Sequence, residues 1–296
     1  MRFRYTLIFL TAFLILSSLI LPSQTQGQSS CSAAAVLSAV DVLAAERLIA
    51  SCNGISSELL GAAQAAIDST QDFAEIARYR TILALANAQA KNYFDARIGI
   101  QQALLDWRTA NVPIMEGRTL YYSGKIFYDA GLIDQAFNFY SAAMNAARRS
   151  NDTFTQGRVT LVYGRHELGL GNNENAMGML VDSLPLLLQN PTIAVPEQIE
   201  NLTLLSRVYD IFEKYALAGF HQSQASFLRT NQDWYSEVVG EAGLSECPFE
   251  ALTVENDILT VEHELANCVL VYPALRDSLL AALEVTREAA PRAHLQ

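Results

Sequence analysis

The chain has 296 residues, 51% of them hydrophobic and 17% charged, enough apolar material for one or two packed cores and too much for a mostly disordered protein. Its 31 acidic side chains against 20 basic ones give a net charge of −11, and the only lysines are Lys91, Lys125 and Lys214, so no lysine-rich patch offers a surface for nucleic acid or anionic lipid. Ala and Leu dominate, Pro is scarce, and no long period-two run of β-branched residues occurs, so helices are expected throughout.

Residues 1–27 read as an export signal. Arg2 and Arg4 form a short basic region, Leu7 to Leu21 is an apolar run closed by Pro22, and Thr25 and Gly27 place small residues for cleavage after Gly27. The mature chain is then more acidic still. The expected location is exported, whether secreted, periplasmic or cell-surface. The alternative is a tether by an uncleaved anchor, although the run is short for a ~20-residue membrane span. Lipid attachment at Cys31 is disfavoured by Gln28, which stands where a lipobox carries Leu.

Four cysteines form two distant pairs, Cys31 with Cys52 and Cys247 with Cys268, each 21 positions apart. An even count in an exported chain points to disulfides, with four free thiols the alternative in a reducing compartment. If Ser32 to Ser51 were one unbroken helix, its ends would lie about 30 Å apart, whereas a disulfide needs Cα atoms within roughly 7 Å. Local pairing at each end therefore requires the chain to double back between the partners. No C-x-x-C occurs, which leaves little support for a zinc or thioredoxin-type site.

Residues 28–76 are expected to form an N-terminal cap. Two helical stretches, Ser32 to Ser51 and Ser56 to Ser69, are separated by Cys52-Asn53-Gly54, a strong breaker. Ala44, Leu60 and Ala63 fall one period of forty before columns of the repeats that follow, so the cap reads as a degenerate first repeat. Those columns are Ala84, Gly124 and Gly164; Ala96, Ala136 and Ala176; Ile100, Tyr140 and Leu180; and Ala103, Ala143 and Ser183. Gly131 and Gly171 make a further column whose first member is Lys91. A fixed period in this range implies stacked supersecondary units. In the middle copy Arg118 to Tyr128 is the first helix, Ala130-Gly131 the turn and Ile133 to Arg148 the second, with linkers ANVPIMEGR and SNDTFTQGR carrying Asn111 and Asn151 in one column. Gly124 and Ala136 should let two helices approach closely, with Phe127, Phe139 and Tyr140 filling the surrounding space.

Gly124, Phe127, Gly131, Ala136, Tyr140 and Ala143, with Leu120 opening the first helix, resemble the tetratricopeptide repeat in a longer form of about forty residues. The resemblance runs over 117–150, 157–189 and 77–110, departing at Lys91 and at Glu167. It implies an all-α, right-handed superhelical solenoid of antiparallel helix pairs over 77–229, whose first helices line a concave, partner-binding groove. After Ser183 the loop QNPTIAVPEQ breaks the register. A fourth unit aligns if two positions are added, through Ser206, Tyr209, Ala218 and Ala225. Residues 230–296 read as an irregular segment followed by a helical C-terminal cap.

Catalytic motifs are missing from the sequence: there is no G-x-S-x-G, H-E-x-x-H, G-x-x-x-x-G-K-[ST] or G-x-G-x-x-G after a strand. Glu262-His263-Glu264 are neighbours that would point in different directions on a helix, and His166 lies between Arg165 and Glu167, so both read as solvated helix faces. Asn151-Asp-Thr153 and Asn201-Leu-Thr203 fit a glycosylation sequon. Arg78, Arg118 and Arg158 share one repeat position. By the resemblance, the groove-facing positions also include Tyr121, Lys125 and Tyr128 in the middle copy and Leu161, Arg165 and Leu168 in the next. Arginine forks bind carboxylates and tyrosines give rigid contact area. The expected function is non-catalytic binding of a carboxylate-bearing protein or peptide through this groove, without cofactor or metal. A competing reading has each Arg pair with an acidic residue of the neighbouring repeat. Two rivals are an enzyme or glycan-binding protein using the array as a scaffold, with Trp234, Tyr235, Asp233, Glu237 and Glu241 at its site, and a sensor whose output domain lies on another polypeptide.

Overall fold

The computed structural model describes residues 31–232, which form eleven helices and nothing else of regular structure. They are α1 (Ala33–Leu37), α2 (Val42–Ala50), α3 (Ser57–Ser69), α4 (Phe73–Gln89), α5 (Tyr93–Thr109), α6 (Pro113–Asp129), α7 (Ile133–Arg149), α8 (Thr153–Gly169), α9 (Asn173–Leu188), α10 (Val195–Ile211) and α11 (Tyr215–Thr230). Within the units, α4 with α5, α8 with α9 and α10 with α11 pack as sequential antiparallel pairs. The described residues divide into two compact units, one ending at Phe139 and the other starting at Tyr140, a boundary that falls within α7.

The forty-residue period is two periods of twenty. Each helix from α4 to α8 has 17 residues, and three residues join it to the next. The joints share one device. A residue with positive φ follows each helix at Lys91 (64°), Asn111 (54°), Gly131 (78°), Asn151 (53°), Gly171 (80°) and Glu213 (58°). At every one of these positions the next amide bonds five residues back, as in Asn92 N to Asn87 O, Leu132 N to Phe127 O and Lys214 N to Tyr209 O, which is the Schellman closure. Asn111 and Asn151, seen in the sequence as a linker column, are turn residues of the same kind as Gly131 and Gly171. Lys91 departs from the glycine pattern in identity and not in conformation.

Residue 191 should continue the series and is proline, whose ring holds φ near −65° and denies it the left-handed region. The connection there runs from Gln189 to Ala194, and α10 starts 42 residues after α8. The two added positions anticipated for the fourth unit are thus accounted for by one residue.

Two expectations need correction. The stretches ANVPIMEGR and SNDTFTQGR are not linkers beyond their first three residues. Pro113 starts α6, where its missing N–H costs nothing, and Asp152 caps α8 by accepting from Thr155 N at 3.3 Å. First helices therefore begin five residues before the expected Arg118. Nor is Ser32 to Ser51 a single helical stretch. It breaks between Ser38 and Asp41, where Asp41 caps α2 by accepting from Ala44 N at 2.7 Å. The break lets the chain double back, and Cys31 and Cys52 are joined with their Cα atoms 5.5 Å apart. In this cap Ala63 is buried as expected, but Ala44 and Leu60 are half-exposed while Ala45 and Leu59 are buried, a one-residue offset from the repeat columns.

Small residues sit where pairs cross. A Cβ on Gly164 would lie 2.9 Å from Leu180 Cγ and 3.4 Å from Ala176 O, and one on Gly99 would touch Ala84 Cβ at 3.4 Å. Gly157 is tighter still, with Leu187 Cδ2 at 2.8 Å. Ala84, Ala96, Ala136, Ala143 and Ala176 are all fully buried. Phe127 packs on Phe139 with ring centroids 4.8 Å apart, in the space that the middle pair was expected to fill with aromatics.

Candidate functional site

Because the first helices α4, α6, α8 and α10 recur at fixed phase, a side chain repeated at one column projects from equivalent places on successive helices. The basic column and its neighbours therefore form two local arrangements, one in each unit.

In the unit ending at Phe139, Arg78 on α4 is half-buried and turned toward the N-terminal segment. Its Nη2 donates to Leu37 O at 2.9 Å and also to Ala39 O, the carbonyls at the end of α1 and just beyond it. The Leu37 carbonyl belongs to the unsatisfied last turn of α1, where a cation is favoured. The guanidinium lies over the Tyr79 ring at 5.3 Å. Its Nε is buried and has no acceptor among the described residues. Lys125 on α6, half-exposed, approaches Glu46 on α2 at 3.8 Å. Glu46 itself is only 7% exposed. Tyr121 is buried and meets Tyr122 edge-on at 5.8 Å, so it works as a packing group more than as open contact area. Tyr128 is half-buried against Phe137, and Arg118 is half-buried on α6.

In the unit starting at Tyr140, Arg158 on α8 is 7% exposed and its Nε stands 3.2 Å from Glu197 Oε1 on α10. Its guanidinium also lies over the Phe154 ring at 5.3 Å. About two turns on, exposed Arg165 reaches Glu200 at 2.8 Å. Leu161 and Leu168 are buried. Arg158 and Arg165 thus pair with the next repeat, as the competing reading held, while Arg78 and Lys125 pair with the N-terminal cap.

Three acidic residues that complete these arrangements, Glu46, Glu197 and Glu200, were not singled out in the sequence. A signal existed for one of them. With the two-residue correction, Glu200 occupies the column of Arg78, Arg118 and Arg158 with the charge reversed. Nothing comparable marks the carbonyls of Leu37 and Ala39.

Of the two sequons, Asn201 is fully buried with its amide donating to Leu180 O at 3.0 Å, so a glycan has no access there. Asn151 is exposed in its turn. Burial raises the pKa of the Tyr163 hydroxyl above the usual tyrosine value. Among the described residues no group of three or more His, Cys, Asp or Glu side chains is placed to hold a metal ion, and no helix is long and apolar enough to cross a membrane. Cys247, Cys268, the Trp234–Tyr235 segment with Asp233, Glu237 and Glu241, the Glu262-His263-Glu264 triplet, the export signal and the C-terminal cap lie outside the described residues. Comparison with known protein families and with curated proteins finds no match for this chain.

Proposed function

We propose that this chain is an exported, tetratricopeptide-like solenoid that binds a protein or peptide partner through the faces of its first helices, without catalysis. The observation that carries the reading is the behaviour of four basic side chains on those faces. Arg78, Lys125, Arg158 and Arg165 each hold oxygen acceptors supplied by a different segment of chain, two carbonyls at a helix end in the first case and a carboxylate in the others. A face that already grips helix ends and carboxylates has the chemistry to grip those of a partner. The Cys31–Cys52 disulfide fits an oxidising, extracytoplasmic compartment.

The test is co-purification of the mature chain with crosslinking in its native compartment, run beside Arg118→Glu. A partner held by the parent and lost by the variant supports the reading. Equal capture by both in low salt overturns the assignment of this face.

A further inference from the structure

A cap that merely closed the end of a helical array would cover the outermost pair. The segment 31–52 does more, since its α1 end is held by Arg78 on α4 and Glu46 on α2 reaches Lys125 on α6, one first helix further along. It therefore lies across the faces from which the candidate partner-binding residues of this unit project. Its anchorage is apolar as well as polar, through buried Val36, Val42, Leu43, Ala45 and Ile49.

Two details distinguish this occupant from a permanent part of the core. First, it uses the Arg78 fork incompletely. Both carbonyls fall on Nη2, and buried Nε is left without an acceptor, whereas a carboxylate would take Nε and Nη2 together in the bidentate manner. Second, the segment is closed on itself by one covalent bond whose outer sulfur belongs to half-buried Cys52.

We propose that the hairpin 31–52 is a tethered occupant of the Arg78–Lys125 face, released when a dithiol reduces Cys31–Cys52, and that the vacated Arg78 fork then takes a carboxylate of a peptide. The last step rests on the peptide-binding reading given above. In the reduction the S–S bond breaks, Cys31 and Cys52 each gain a hydrogen, and the dithiol is oxidised to its cyclic disulfide. A disulfide closing a loop of 21 residues holds the docked hairpin by a factor on the order of a hundred, which reduction removes.

Hydrogen–deuterium exchange of the full chain, oxidised and in dithiothreitol, tests this. Cys31→Ser with Cys52→Ser in one chain provides a second route to release that leaves Cys247 and Cys268 untouched. Both routes are expected to speed exchange over residues 33–50 by ten- to a hundredfold and leave 93–129 protected. Unchanged protection of 33–50, or loss of protection over 93–129 along with it, would overturn the gate. The probe for the vacated fork is a labelled peptide copying Ser32 to Ala39 and ending in a free carboxylate. It should bind the double-serine chain at least tenfold more tightly than the oxidised parent, and lose that binding when Arg78→Gln is added. Release without binding would sink the peptide-binding reading and leave the gate. Equal binding in both redox states would sink the gate and leave the reading.

Discussion

In the unit ending at Phe139, Arg78 and Lys125 reach back to an N-terminal segment. In the unit starting at Tyr140, Arg158 and Arg165 reach forward to the next first helix. The difference follows from what the repeat column carries. Where it continues as Glu200, with Glu197 one turn before it, the basic side chains find partners within the array. The N-terminal cap supplies instead the carbonyls of a short helix and one buried carboxylate. Partners inside the array are fixed by its own stacking, whereas partners on a separate segment stay only while that segment is docked. The same residue types at the same repeat position therefore brace the stack in one unit and hold a removable piece in the other.

The largest expected effect is in the second unit. Glu197→Ala takes the carboxylate from Arg158, which is 7% exposed, and leaves a buried guanidinium without it, a loss of about 3–5 kcal/mol of the kind seen when one partner of a buried pair is removed. Urea unfolding followed by circular dichroism reads this, and an unchanged midpoint would mean that Arg158 is satisfied otherwise. Arg78→Met should cost about 1–2 kcal/mol, because the Leu37 and Ala39 carbonyls lose their donor. That loss should be confined to exchange over 33–50, and a global shift would blur the contrast between the units. Lys91→Gly and Glu213→Gly, one in each unit, should each stabilise by about 0.5–1 kcal/mol, since both residues sit in the left-handed region that glycine enters without steric penalty. A gain at one site and not the other would show that the two turns are not equivalent. Glu46→Gln and Glu200→Gln should each change stability by less than about 1 kcal/mol, the Glu200 effect vanishing first as salt is added because its pair is the more exposed.

The smallest effect concerns pH. Burial raises the pKa of Tyr163, so the folded state holds that proton to higher pH than the unfolded chain does. Its stabilising effect is present below the unfolded value near ~10 and is lost as pH rises through the folded one. Tyr163→Phe should flatten the decline in thermal midpoint above that value, and an unchanged slope would locate the alkaline loss elsewhere.

The period of forty and the crossing columns were legible because they rest on residue size, which close packing reads directly. Gly164 meets Leu180, and Ala84, Ala136 and Ala176 are buried where the columns place them. The finer period of twenty was hidden because Lys91, Asn111 and Glu213 adopt the conformation of Gly131 without sharing its identity. Local chemistry misled at Pro113, which punctuates a loop as readily as it opens a helix. The break before Asp41 was forced by the disulfide geometry but could not be located from it, since Ser38, Val40 and Asp41 carry only a weak cap signal. The partners of the basic side chains were least legible. Glu197 and Glu200 come from another repeat, and main-chain carbonyls leave no trace in a residue pattern.

The Schellman joints give each helix pair contacts that are close along the chain, which lets pairs form early and independently, as in other arrays of low contact order. The contact between Glu46 and Lys125 is of the opposite kind, joining residues from α2 and α6 across three intervening helices. The segment 31–52, made before α6, therefore cannot complete this contact until α6 has been made and folded.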